Sequence, residues 1–306
     1  MEHLWIRASE GLLSEKESSI EDYCIERLSP YLSECFGKAI YQYQNATQTQ
    51  DVLANASCKP LHLWVHANID VVFLDALSSL NHKNIQFSFS NQRSLAEARR
   101  VNKESATHWL SQALERASIV PFPVDETIHS SDFAKRIDLL LGLFSGVGVE
   151  HHVHKVLEAV SQANCGWKIH WMVQQTELAQ AEALVREYPE VEVFIESPWS
   201  VDRYVEISKE IAACAHLLFS ASEPFSPCIP ISLMQGLEVL VLNFSEGEML
   251  PNAVVKKILP GIDEVAMMVS WLKDFNKEFS IQARTYATEL HAAQMVASNL
   301  SLELRR

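Results

Sequence analysis

Cys214-Ala-His-Leu-Leu-Phe-Ser-Ala-Ser-Glu223-Pro224-Phe225-Ser226-Pro227 leads through Met234-Gln235-Gly236 to Val239-Leu-Val-Leu-Asn243. His216–Ser220 is a short apolar run between small polar residues, the pattern of a buried parallel strand. The residues after it are turn chemistry, because Pro224 and Pro227 lack backbone donors and fix φ. Ile229–Gln235 is expected as a helix, Gly236 as its C′ residue, and Val239–Leu242 as the next strand. The unit is strand, loop, helix, strand, with an acidic residue in the loop. In open parallel sheets, ligands lie at that end of the strands, where helix N-termini present unpaired N–H groups.

The rest of the chain continues the alternation. Strands are expected at 2–7, Ala39–Tyr43, Leu61–His66, Ile85–Phe89, Leu139–Phe144, Trp167–Val173 and Val191–Ile195. Helices are expected at Ile20–Phe36, Thr49–Ala56, Ile69–Leu80, Ser94–Ala117 (as one helix or two), Val153–Gln162, Glu177–Glu187, Ser200–Cys214, 251–259, 262–275 and, for most of its length, 279–298. Alternating strands and helices without a fixed repeat predict two doubly wound α/β domains. At 306 residues there is material for two cores. The boundary is expected near 125–135, after the proline-bearing segment Ile119-Val-Pro121-Phe-Pro123-Val-Asp125.

Composition narrows the partners. A net charge of −14 argues against nucleic acid, whose phosphates require a basic surface. No segment is apolar for the length a bilayer requires, and from Met1-Glu-His-Leu-Trp-Ile-Arg7 no secretion leader is expected. Six scattered cysteines without a Cys-x-x-Cys pair suggest a reduced, cytoplasmic protein. His151, His152 and His154 lie close together, but no carboxylate–histidine spacing completes a metal site. Neither a metal nor a separate cofactor is expected.

The opening stretch resembles the donor-binding signature of the group-1, glycogen-synthase-like family of retaining glycosyltransferases. That family has the GT-B fold, two Rossmann-like domains facing each other across a cleft. Ser220, Glu223-Pro224-Phe225, Gly236 and Val239 fall in register with it. Ser226 replaces the family glycine, Glu238 a proline, and Ile231 a second glutamate. The resemblance implies an N-terminal acceptor-side domain over 1–130, a donor-binding domain over 131–285, and a helix over 286–306 returning to the first domain.

It further implies sugar transfer from a nucleotide-diphosphate donor to an unidentified acceptor (glycan, protein or small molecule), with retention. Glu223 would hold sugar hydroxyls, and His66, at a strand's C-terminal end, would face the sugar; His62 shares its strand face. Ser222, Pro224, Phe225 and Ser226 would line the donor site, and Trp199 would contact the base. Ser145, Gly146 and Gly148 form a glycine-bearing loop for the diphosphate. His151 or His152 stands near the family lysine, and Val147 where the family has arginine. An active enzyme would therefore draw substitutes from Arg93, Arg99 or the histidines. The alternative is a catalytically degenerate GT-B chain serving as partner or regulatory subunit of another transferase. An epimerase or hydrolase acting on a sugar nucleotide is a third reading, since fold does not fix chemistry.

Overall fold

The computed structural model describes residues 5–6, 20–32, 39–43, 60–66, 69, 71–78, 85–105, 108–128, 138–141, 152–198, 200–216, 227–244, 246–275 and 281–305. The expected helix at Thr49–Ala56 lies outside these residues, as do 217–220 of the expected strand in the opening stretch. Two parallel sheets organise the chain. The first contains β1 (Trp5–Ile6), β2 (Ala39–Tyr43), β3 (Leu61–Val65), β4 (Ile85–Phe89) and β5 (Ser118–Ile119), paired in sequence order. The second contains β6 (Asp138–Leu141), β7 (Lys168–Met172), β8 (Glu192–Glu196), β9 (Ala213–His216), β10 (Glu238–Leu242) and β11 (Lys256–Ile258). Its order is β11-β10-β9-β6-β7-β8. Strand order thus reverses between β6 and β9, which is a topological switch point.

Period-two patterning builds the first sheet. Leu61, Leu63 and Val65 turn to one face, under α2 (Val71–Ser78), α3 (Gln92–Ser105) and α4 (His108–Arg116). Trp64 turns to the other face, where Tyr23 and Leu28 of α1 (Ile20–Leu28) pack together with Phe122. The second sheet carries α5 (Val153–Ala163), α6 (Leu178–Val185), α7 (Val201–Ser208), α8 (Cys228–Met234), the short α9 (Glu246–Met249) and α10 (Glu264–Lys273). Two C-terminal helices follow, α11 (Ile281–His291) and α12 (Ala293–Arg305). Among the described residues, no helix is long and apolar enough to cross a membrane.

One apolar cluster runs from Trp64 and Phe122 through Val296 and Leu300 of α12 to Ile229 and Val239. The segment leaving the first sheet is clamped onto the α11–α12 junction. Val124 N–H donates to the His291 carbonyl, and Ala293 N–H donates to the Val124 carbonyl. His291 Nδ1 lies 2.9 Å from the Phe122 carbonyl oxygen.

Three expectations are corrected. The helix from Ile20 gives way to a turn after Leu28, where Pro30 cannot continue it. The helix from Ser200 ends at Ser208, and Ala213–His216 is strand. There Ala213, Cys214 and Ala215 fit the buried position between β6 and β10, and sheet pairing overrides alanine's helix preference. Residues 251–259 are not a helix: Lys256–Ile258 adds a parallel edge strand to β10, and Val254, Val255 and Ile258 are buried.

Candidate functional site

In each sheet the polar residues gather where the strands end. In the first sheet, β3 runs into His66, and β4 into Ser90. His66 is 5 % exposed. Its Nε2 lies 3.0 Å from Oε1 of Gln42 on β2, and its Nδ1 hydrogen-bonds the Ser90 hydroxyl. The amide oxygen can only accept, so Nε2 carries the proton, and Nδ1 shares the single Ser90 hydroxyl hydrogen with the Val65 carbonyl, whose oxygen lies 3.2 Å from that hydroxyl. Burial pushes the ring's pKa down to about 3. His66 is thus a neutral hydrogen-bonding group at physiological pH, with Trp64 and Phe122 against it. His62, on the same face, is fully buried and bonds Ser88.

The corner after β4 is built by Asn91, whose side chain accepts from Ser94 N–H at 2.8 Å and caps α3. Arg93 stands in that first turn. Its guanidinium lies 5.3 Å from the ring centroid of Phe244 and 3.7 Å from Oε2 of Glu248, both just beyond β10. This contact brings the C-terminal edges of the two sheets face to face. The short helix bearing Glu248 sits directly on β10: a Cβ on Gly247 would meet the Leu242 carbonyl oxygen at 2.0 Å.

In the second sheet, β6 and β9 pair directly, Leu141 opposite Ala215, and the chain leaves both strands side by side. The departing segments are 142–151 and 217–226, so the expected donor residues Ser145, Gly146, Gly148, His151, Ser222, Glu223, Pro224, Phe225 and Ser226 lie outside the described residues. Trp199 does too. Each segment feeds a helix, α5 at Val153 and α8 at Cys228. The starts of α5 and α8 thus follow in sequence the two strands that flank the switch point. At the far end of α8, Gly236 has φ 75° and closes the helix: its N–H donates to the Leu233 carbonyl, and Leu237 N–H to that of Ser232.

His152 precedes α5 with φ 53°, a left-handed conformation that costs a non-glycine residue about 1 kcal/mol. Glu264, first residue of α10, holds it there. Glu264 Oε2 lies 2.7 Å from His152 Nδ1 and 2.6 Å from Lys155 Nζ, while Oε1 accepts from Gly261 N–H. Burial lowers the His152 pKa, against the raising influence of Glu264, so the neutral ring donates through Nδ1–H. Burial raises that of Glu264, but the bonds from Lys155 and Gly261 outweigh it and hold the carboxyl below its usual range. Lys155 is therefore spent on an internal carboxylate.

The sequence reading missed Glu264 as a site residue. Its only signal was an acidic start to a helix, and its partners are 109 and 112 residues away. Ile231, where the resemblance expects a second glutamate, is fully buried within α8. A groove of about 580 Å³ opens beside β11 near Glu238, Lys256, Trp271 and Asp274. These residues belong to the starts of β10 and β11 and the end of α10, away from the strand ends described above.

No family model matches the chain. No curated protein sequence matches it either. Solved structures do. AviGT4, a glycosyltransferase involved in avilamycin A biosynthesis, superposes with a TM-score of 0.63 at 13 % identity, over 99 % of this chain and 95 % of that one. Anabaena Alr3699/HepE in complex with UDP gives 0.67 at 12 % identity, over 95 % and 97 %. Sucrose-phosphate synthase from Thermosynechococcus elongatus gives 0.66 at 12 % identity, over 94 % and 77 %. With two parallel sheets whose C-terminal edges meet, the chain has the GT-B fold.

Proposed function

We propose that the protein is a glycosyltransferase that takes a sugar from a nucleotide-diphosphate donor and transfers it to an acceptor hydroxyl with retention. The observation carrying this reading is the switch point between β6 and β9, opposite the His66–Arg93 edge of the other sheet. Relatives in fold support the donor class, since HepE structures hold UDP and UDP-glucose. Ser145, Gly146, Gly148 and His151 are assigned to the diphosphate, Trp199 to the base, and Ser222, Pro224, Phe225 and Ser226 to the rest of the donor wall. Glu223 holds the sugar hydroxyls. His66, neutral and buried, keeps its single ring proton on Nε2 toward Gln42 and orients polar groups at the facing edge.

In the reaction the bond from the anomeric carbon to the diphosphate oxygen breaks, and its electron pair leaves with the diphosphate. The acceptor oxygen bonds the same carbon from the same face, and its proton passes to the departing phosphate. Catalysis of this kind is positioning and charge stabilisation, and helix N-termini supply part of the positive potential. We assign 1–130 to the acceptor side, 131–285 to the donor and 286–306 to a closing helix, in the cytoplasm. The free thiols of Cys24, Cys165, Cys214 and Cys228 support a reducing compartment.

The test is nucleoside-diphosphate release from UDP-, GDP- and ADP-glucose, and from their common sugar variants, by the wild type and by Glu223→Ala. Turnover of one donor, reduced roughly a hundredfold or more in the variant, is the expected result. Equal turnover by both proteins removes Glu223 from the site. One observation favours the second reading, a degenerate chain acting as partner of another transferase: Ile231 is packed in the core and cannot reach a ribose. That reading expects no turnover of any donor.

A further inference from the structure

We propose that Arg93, carried by the first sheet, binds the diphosphate across the cleft, in place of the arginine whose expected position Val147 occupies. The inference rests on the nucleotide-sugar reading above. Several other described cations are committed. Arg99 donates to the carbonyls of Leu114 and Glu115, and Arg100 makes a two-pronged pair with Glu97. Lys155 is held by Glu264, and Lys257 by the Glu248 carbonyl. Arg203 is shared between Glu196 and Glu206. His152 is a neutral donor to Glu264.

Arg93 differs from all of these. It makes no hydrogen bond with a described residue, and its only described ion pair is a 3.7 Å approach to Glu248, whose side chain is 62 % exposed. Such a water-screened pair is weak, so exchanging it for phosphate oxygens costs little. A guanidinium presents paired donors that match phosphate geometry. Its position is also fixed from both sides. The Asn91 cap and the His66–Ser90 bond hold the corner that bears it, and Gly247 seats Phe244 and Glu248 against the end of β10. β10 adjoins β9, and β9 adjoins β6. At the usual strand spacing the switch point lies about 5–10 Å from Arg93's platform. An arginine there reaches the diphosphate from the first sheet, while the second sheet presents the N-terminus of α5.

The competing account makes Arg93 a latch between the sheets that never touches ligand. Calorimetric titration separates the two, using the paired mono- and diphosphates of uridine, adenosine, guanosine and cytidine. Titrations are run on the wild type, Arg93→Ala, Arg93→Lys and Glu248→Gln. For the base that binds, the wild-type preference for diphosphate over monophosphate should fall about tenfold or more in Arg93→Ala. Arg93→Lys should recover part of it, and Glu248→Gln, which removes the competing carboxylate, should raise it. An unchanged preference in Arg93→Ala overturns the proposal. Equal weakening of both phosphates in Arg93→Ala and Glu248→Gln also overturns it and identifies a latch. If the wild type binds none of the eight nucleotides, the nucleotide-sugar reading falls and this inference with it.

Discussion

The two facing edges solve one problem in opposite ways. Each places a histidine just after a parallel strand or just before the helix that follows, in a pocket that excludes water. At the first edge, His66 meets the neutral groups of Gln42 and Ser90. At the second, His152 meets Glu264, which also holds Lys155. A neutral network fixes geometry without charge, whereas the charged cluster joins two helices and spends the cation nearest the start of α5. Charge for a ligand must then come from elsewhere, and Arg93 of the neutral edge is placed to supply it.

The largest predicted effect concerns α8. If Ile231 were an eroded donor residue, Ile231→Glu would restore binding. Because the side chain is fully buried, it should instead destabilise the fold by more than about 4 kcal/mol, seen in denaturant unfolding. A stable variant with tighter nucleotide binding would break the comparison at its root. Next is Glu264→Ala, which leaves Lys155 without its counter-charge and His152 without its acceptor. A loss of about 3 kcal/mol is expected, with Glu264→Gln milder. A loss below about 1 kcal/mol would mean that the cluster does not join α5 to α10.

Acid sharpens the contrast between the edges. His66 has a folded-state pKa of about 3 against an ordinary value of 6.5, so between these values the unfolded chain binds the extra proton. Its contribution is therefore fully present above pH 6.5 and is lost as pH falls, by about 1.4 kcal/mol per unit. His291, pushed down to about 4 by burial, acts in the same direction. Glu264, held below its usual range, adds its loss only at lower pH. In unfolding titrations from pH 7 to 4, His66→Gln should flatten the slope by about 1 kcal/mol per unit. An unchanged slope would show that the His66 ring is not buried as a neutral group.

How far these edges could be read from the sequence differs by the range of the interactions. β2 and β4 were legible to the residue, because strong β-formers stand between breaks in the pattern. Gly236 was legible as a helix stop because a left-handed residue there favours glycine. The strand at Ala213–His216 was hidden because its small residues carry no strand signal of their own; pairing on both sides determines it. The Lys256–Ile258 strand was hidden likewise by a single tertiary pairing. At the site, the histidines and Arg93 were visible as residue types. Their partners were not, because Glu264 and Glu248 become neighbours only when the strands are ordered in space. The donor loops from the opening stretch, 142–151 and 217–226, lie outside the described residues and remain expectations from the resemblance.

The central claim is that a nucleoside diphosphate binds between these edges. Thermal unfolding of the wild type with millimolar UDP, GDP, ADP and CDP tests it most directly. A ligand at about a hundred times its dissociation constant stabilises the folded state by about 3 kcal/mol, enough to raise the melting temperature by several degrees. The account predicts such a rise for one of the four. No rise with any of them would contradict it and leave the non-catalytic reading of the fold.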